Sequence, residues 1–552
     1  MQKVFRAGFA AGVIALVVAA VAAGSADRQS QTGTLVFGAS AEPTSLDPPF
    51  VSDGESLRAT YQIYENLIKQ VPGTTTLAPG LATAWKVSGN GRVYTFTLRR
   101  GVRFHDGTPF NAAAVCANFN RWYNFRGAQA NPSASYYYNA IFKGFRTKDR
   151  AKALYRSCTA NGQYVAVVRL TRTYGPLLNV LTNGAFPMAS PAAMAKYGAN
   201  KGRVTSDGVY VPTGQWGVPG GFAVGTGPFR LVSWKIGDKL ELARNDSYWG
   251  RKAGLSRLII RAIADNTARL QALQTGEIQG YDNVAPTDIR TITRNSKLKI
   301  SNRPPFNVGY VGINQAEEPF NRLAVRKALA YALDRAAVVR SLYAGRGTVA
   351  KEFQPPTLQF GYAANVPTYE YSPAKARAAL TAAGLTLPVE VEFIYPTDVT
   401  RPYMPDPRRN FQAFSASLEN SGFKVTAKSA PWSPDYLGQV QAGEAGALFL
   451  LGWTGDYGDP TTFLDGIFAA KQFGLDNALG NRFYAMIAKA AAEPNPVKRS
   501  NQYKAIQSFI MANVLAVPYV HTRPALGFAR NVQGFVASPV LNDSFASVRV
   551  SG

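Results

Sequence analysis

Leu448-Phe449-Leu450-Leu451 is an unbroken apolar run that passes directly into Gly452-Trp453-Thr454-Gly455-Asp456-Tyr457-Gly458-Asp459-Pro460. Four apolar residues with no alternation predict a strand buried on both faces, the kind found in the middle of an α/β sheet. Polar and aromatic groups then gather just past its carboxyl end, where open α/β sheets form their ligand crevices. Asp before Gly or Pro is also ordinary turn chemistry, so spacing alone leaves two readings: a binding loop, or a loop whose aspartates cap turns.

Other segments supply the partners such a strand needs. Between Asn321 and Arg335, Val325, Ala328, Leu329, Ala332 and Leu333 recur at helical spacing and give one apolar stripe for packing on a sheet. A second helix is punctuated at both ends, with Ser372 as N-cap, Pro373 in the first turn and Gly384 as stop. Val389-Glu390-Val391-Glu392-Phe393 follows at once as a strand, completing an α/β unit. Tyr94–Leu98 and Lys239–Ala243 alternate, as half-exposed strands do. At 552 residues, and with 46% hydrophobic residues, the chain can bury more than one core and is not disordered.

Lys3 and Arg6 precede an apolar and small-residue run, Ala7 to Gly24, followed by Ser25-Ala26-Asp27-Arg28. That order predicts export by a signal cleaved near Ala26, with an uncleaved anchor as the alternative. No cysteine adjoins the run, which argues against a lipoprotein. The two cysteines, Cys116 and Cys158, would meet an oxidising compartment and are expected to pair, the alternative being two buried thiols.

Several chemistries lack their residues. Two histidines, His105 and His521, cannot make an H-E-x-x-H site, and neither cysteine has C-x-x-C spacing. No phosphate-binding P-loop and no G-x-S-x-G elbow occur. Gly225-Thr226-Gly227-Pro228 lacks a third glycine and reads as a tight turn before a strand. No metal or cofactor is expected. Sixty Lys+Arg against 34 Asp+Glu leave a net charge of +26. The basic residues are dispersed, without dense runs or interleaved aromatics, so adhesion to an anionic membrane or wall surface is expected rather than nucleic-acid binding.

In order along the chain, the segments resemble the family 5 extracellular solute-binding proteins, the oligopeptide- and dipeptide-binding components of ATP-binding-cassette importers. Pro43-Thr44-Ser45-Leu46-Asp47-Pro48 and Tyr64-Glu65-Asn66-Leu67 open the resemblance. Trp85, Tyr94–Arg99 and Gly101-Val102-Arg103-Phe104-His105-Asp106-Gly107 continue it as the most specific block. Gly225–Phe229, Tyr248-Trp249, Val325–Leu329 with Asp334-Arg335, and the Asp456-Tyr457 loop complete it. His105, inside a signature turn, is therefore expected to be structural.

The resemblance implies an α/β, two-lobed, hinged fold like that of the periplasmic binding proteins, with an inserted subdomain in the first lobe. Transferred here, residues 1–26 are the signal or anchor, 27–75, 205–305 and 525–552 the first lobe, 76–204 the insertion and 306–524 the second lobe. It implies a monomeric receptor without enzymatic activity, periplasmic or extracellular, that closes on a peptide and delivers it to permease and ATPase subunits. A nickel complex, opine or sugar is the alternative solute. By the same resemblance Asp456 would pair with a ligand ammonium, Trp453 and Tyr457 would wall the pocket, and the segment around Trp432 would pair with ligand backbone. Glu65 and Asn314 would lie in the cleft near the lobe junction, and His521 would line or back it.

Overall fold

A computed structural model of the chain describes residues 33–206, 209–468 and 471–551. The amino-terminal apolar run expected to be a signal or anchor lies outside these residues. Among the described residues no helix is long and apolar enough to cross a membrane.

Two large sheets organise two lobes. The first runs, strand by neighbouring strand, Phe229–Lys235, Lys239–Arg244, Arg257–Ala262, Thr34–Ala39, Gly280–Tyr281, Ala525–Ala529 and Leu298–Asn302. An early, a middle and a final stretch of chain therefore share one sheet. Thr34–Ala39 lies parallel to Arg257–Ala262, and Ala525–Ala529 antiparallel to Leu298–Asn302.

The second sheet runs Gly347–Val349, Ala516–Thr522, Asn307–Ile313, Leu448–Thr454, Val389–Pro396 and Phe423–Ala430. Its Leu448–Thr454 strand is buried on both faces, as the apolar run requires. Phe449 and Leu451 point into one core, walled by the helices Thr461–Phe468, Ala478–Ala492 and Pro496–Asn513. Leu448 and Leu450 point into another, beneath Leu323–Ala332, Pro373–Ala382 and Pro407–Glu419. The stripe on Leu323–Ala332 is fully enclosed at Val325, Ala328, Leu329 and Ala332. Ser372 Oγ accepts from the Lys375 amide at 3.3 Å, Pro373 opens its helix and Gly384 follows it at φ +75°, where a side chain would strain.

A third unit is built on a four-stranded sheet, Ala82–Ser88, Val93–Leu98, Val165–Leu170 and Tyr155–Ala160. Its core is aromatic, centred on Phe96, Phe119, Trp122, Tyr138 and Phe142. A disulfide joins Cys116, on the helix Ala112–Tyr123, to Cys158 on an outer strand, with the Cα atoms 5.1 Å apart.

The chain crosses between the large sheets at residues 303–306 and again at 523–524. The Asn307 side chain clasps these crossings. Its Nδ2 donates to the Thr522 carbonyl at 3.1 Å, and its Oδ1 accepts from the Thr522 amide and hydroxyl, each at 3.0 Å. His521 Nδ1 donates to the Asn307 carbonyl at 2.7 Å. Burial lowers the His521 pKa to about 4, so the ring is neutral and serves the crossing. Beside the first crossing Arg303 and Arg58 share Asp282 and Asp543 in a buried network, with Arg303–Asp282 at 2.8 Å and Arg303–Asp543 at 2.7 Å.

Candidate functional site

Strand direction decides where polar groups can converge. Val389–Pro396 is parallel both to Phe423–Ala430 and to Leu448–Thr454, so three carboxyl ends share one edge of the second sheet. The loops leaving that edge carry Arg401, Trp432 and Asp456 respectively.

Asp456 is half-buried and is held by few groups. Its amide donates to Thr462 Oγ1, and its Oδ1 accepts from the Tyr137 hydroxyl, each at 2.8 Å. Tyr137 lies on the helix Tyr136–Phe142 of the third unit. Among the described residues no cation lies within bridging distance of Asp456. Burial raises its pKa to about 7, although the Tyr137 hydrogen bond pulls the other way. A carboxylate withdrawn from water without a cation is a strong acceptor for one.

Its neighbour Asp459 serves the other purpose open to this loop. Asp459 is fully buried, accepts from the Thr461 hydroxyl at 2.9 Å and pairs with Arg499 at 3.2 Å. Asp459 thus caps a turn, whereas Asp456 has the Tyr137 hydroxyl and, among the described residues, no cation.

The aromatic neighbours part company. Tyr457 is 4% exposed and packs into the aromatic core of the third unit, so its ring joins the units rather than walling an open pocket. Trp453 packs against the helix Thr461–Phe468, where a Cβ at Gly466 would come within 2.5 Å of its ring. Close approach there requires glycine. Trp453 Nε1 is buried and has no hydrogen-bond partner among the described residues.

Trp432 begins a single π-helical turn, its amide donating to Asp398 Oδ1 at 2.6 Å, and Arg401 stacks on its ring at 4.3 Å. The Arg401 Nε is buried and has no hydrogen-bond partner among the described residues. Its loop is fixed to the second crossing, since Thr522 Oγ1 donates to the Pro402 carbonyl at 2.7 Å. Sequence reading missed both Arg401 and Tyr137. Arg401 could have been noticed as a cation shortly after the Val389–Phe393 strand, whereas no local pattern marks Tyr137.

Glu65 and Asn314 stand apart. The Glu65 carboxylate accepts from Thr226 at 2.8 Å, Tyr248 at 2.7 Å and Trp249 at 2.8 Å, so its acceptors are engaged within the first lobe. Asn314 follows a strand antiparallel to Leu448–Thr454, with Ile313 opposite Leu448. It therefore sits at the far end of the sheet from Asp456, about 20 Å away along the strand, where its Nδ2 donates to the Gly443 carbonyl at 3.0 Å. The structure does not bring it to the Asp456 edge. His105, in its signature turn, donates from Nε2 to the Gly227 carbonyl at 2.9 Å, a structural contact.

Residues 76–474 match the model of the bacterial extracellular solute-binding proteins, family 5, a span that includes the third unit, the Asp456 loop and both crossed strands of the second sheet's middle. The chain belongs to this family. Family 5 solute-binding proteins act outside the cytoplasm. Among curated relatives, this member is 29% identical over 538 residues to the heme-binding protein A of Haemophilus influenzae, covering 95% of this chain and 94% of the relative. It is 29% identical over 534 residues to the dipeptide-binding protein of Escherichia coli, covering 94% and 95%. Among solved structures, the periplasmic binding protein DppA of Helicobacter pylori in complex with the peptide STSA superposes with a TM-score of 0.75 at 25% identity, covering 94% of this chain and 98% of that one. The two-lobed architecture of this family 5 protein is thus that of the solute-binding proteins.

Proposed function

We propose that the protein is the extracytoplasmic receptor of an ABC importer and that it holds a short peptide at the Asp456 edge, between the second lobe and the third unit. The observation that carries this reading is the Asp456 carboxylate, drawn out of water and given one hydroxyl donor but, among the described residues, no cation. A peptide ammonium supplies the missing charge and up to three donors. Arg401, stacked on Trp432 with its Nε lacking a hydrogen-bond partner among the described residues, offers a second charge of opposite sign on the same sheet edge. A zwitterion reaching both suits the two ends of a short peptide, and it leaves side chains unread. Tyr137 enters the site from the other side of the cleft, so lobe closure would bring the donor and exclude water together.

Thermal stabilisation tests this directly, because a ligand that binds the folded state raises the melting temperature with concentration. Free di- and tripeptides are expected to stabilise the wild type, their N-acetylated counterparts not, and Asp456→Ala neither. Stabilisation by a sugar or a nickel complex alone would retain the receptor and remove the peptide.

A further inference from the structure

A cavity of about 620 Å³ lies where the first lobe meets the third unit and shares no residue with the Asp456 loop. It is enclosed by the hairpin at residues 68–79, the loop at 248–254 and the final segment 536–549. That volume is ample for a small organic molecule.

Its walls and rim carry unlike chemistry. The walls include the half-buried rings of Tyr61, Tyr248 and Trp249. Their polar tips are already engaged: Tyr61 with the Thr182 carbonyl, Tyr248 and Trp249 with Glu65. The rings therefore present apolar surface. Val71 and Val536 add to it, and both are unusually open to solvent for valines, at 41% and 47% exposed.

The rim is cationic. Lys69, Arg251, Lys252 and Arg549 all line the cavity and all are exposed. Among the described residues none is in bridging contact with a carboxylate. The carboxylate that does line the cavity, Glu65, is taken by its three donors. Gln70 is 7% exposed; its Oε1 accepts from Asn542 at 2.7 Å, while its Nε2, also buried, has no partner among the described residues. A buried amide donor left unmatched at a cavity wall costs free energy unless an acceptor arrives.

We infer that this cavity is a second binding site, specific for a small organic anion with a flat apolar body, whose acidic group meets the rim cations and the Gln70 amide. Its walls come from the first lobe, its final segment and, at Gly80 and Thr182, the third unit, with none from the second lobe, so an anion can bind there without touching Asp456.

The probe is anilinonaphthalene sulfonate, followed by its fluorescence, with the uncharged phenylnaphthylamine as its neutral analogue. Saturable binding near one probe per chain is expected, at least roughly tenfold tighter for the sulfonate. Arg251→Gln/Lys252→Gln, and separately Arg549→Gln, are expected to weaken the sulfonate, the double variant by roughly tenfold or more. Lys489→Gln/Lys498→Gln removes the same charge from exposed positions on distant helices and is expected to leave binding as in wild type. Absence of a saturable site, equal binding of the neutral analogue, or equal loss in both double variants would overturn the assignment.

Discussion

Tyr137 donates its hydroxyl to Asp456 Oδ1 at 2.8 Å across 319 residues of sequence. The bond ties the third unit to the second lobe at the one carboxylate proposed to receive the ligand. Tyr137→Phe is expected to weaken peptide binding by roughly tenfold or more, the scale of a hydrogen bond to a charged group, and to push the Asp456 pKa further up. Titration calorimetry between pH 5 and pH 8, taken as roughly the range where affinity climbs, checks both. An unchanged affinity and pH profile would remove Tyr137 from the site.

The raised Asp456 pKa has opposite consequences for the empty and the loaded protein. In the folded, ligand-free state the group titrates at about 7, above its unfolded value. The folded state therefore binds more protons between about pH 4 and pH 7, and this contribution to stability is present at low pH and lost as pH rises through that window. Ligand binding wants the ionised form, so peptide affinity should climb over the same window until the peptide amine itself deprotonates near about pH 8. Asp465 and Glu352, raised to about 6 and about 8 by burial, add to the first trend. The difference between wild type and Asp456→Asn isolates Asp456. At pH 8 the variant should melt higher when empty and show no ligand response; an empty variant melting lower than wild type would contradict the desolvation account.

Arg401 makes a distinct demand on the ligand. Arg401→Gln is expected to lose roughly tenfold or more in affinity for peptides with a free carboxylate and little for their C-terminal amides. Equal losses for both would mean that Arg401 only supports Trp432.

At the first crossing, burial pushes the Asp282 pKa up, but the Arg303 and Arg58 charges more than reverse this and hold it below the ordinary carboxylate range. The stability tied to it is present above about pH 4 and is lost as pH falls. Asp543→Asn leaves the two guanidinium groups one charge short in a dry site, and about 3–5 kcal/mol of destabilisation is expected, measured by denaturant unfolding at neutral pH. A change within about 0.5 kcal/mol, as at an ordinary surface site, would show that water reaches the network.

The disulfide closes a loop across 42 residues within the third unit. Cys116→Ala/Cys158→Ala should cost about 2–4 kcal/mol, and reducing agent should lower the wild-type melting temperature but not that of the variant. Equal sensitivity of the two to reductant would assign the effect elsewhere.

Much of this layout was legible in the sequence because local physics wrote it there. The Leu448–Leu451 run gave a central strand because both faces needed apolar cover, and Ser372, Pro373 and Gly384 marked a helix because capping is local. The Asp456 loop could be located for the same reason, since it follows directly from that strand. What failed was direction. Asn314 also ends a strand of that sheet, but an antiparallel one, and no periodicity states which way a strand runs. Tyr457 was read as pocket wall because its aromatic character is visible in sequence, whereas the core it enters belongs to a unit hundreds of residues earlier. Tyr137 became visible only when the fold placed its helix against the loop, whereas Arg401 stood within reach of a reading that followed the Val389–Phe393 strand to its end.

The Ala525–Ala529 strand lies inside the first sheet, flanked by Gly280–Tyr281 and Leu298–Asn302. Ribosomes make that strand after every other strand of its sheet. Until it emerges, two strands made far earlier have no neighbour between them and the first lobe cannot close its sheet. That lobe therefore depends on pairings between stretches hundreds of residues apart, and a fragment stopping short of Ala525 would leave a gap in the middle of its sheet.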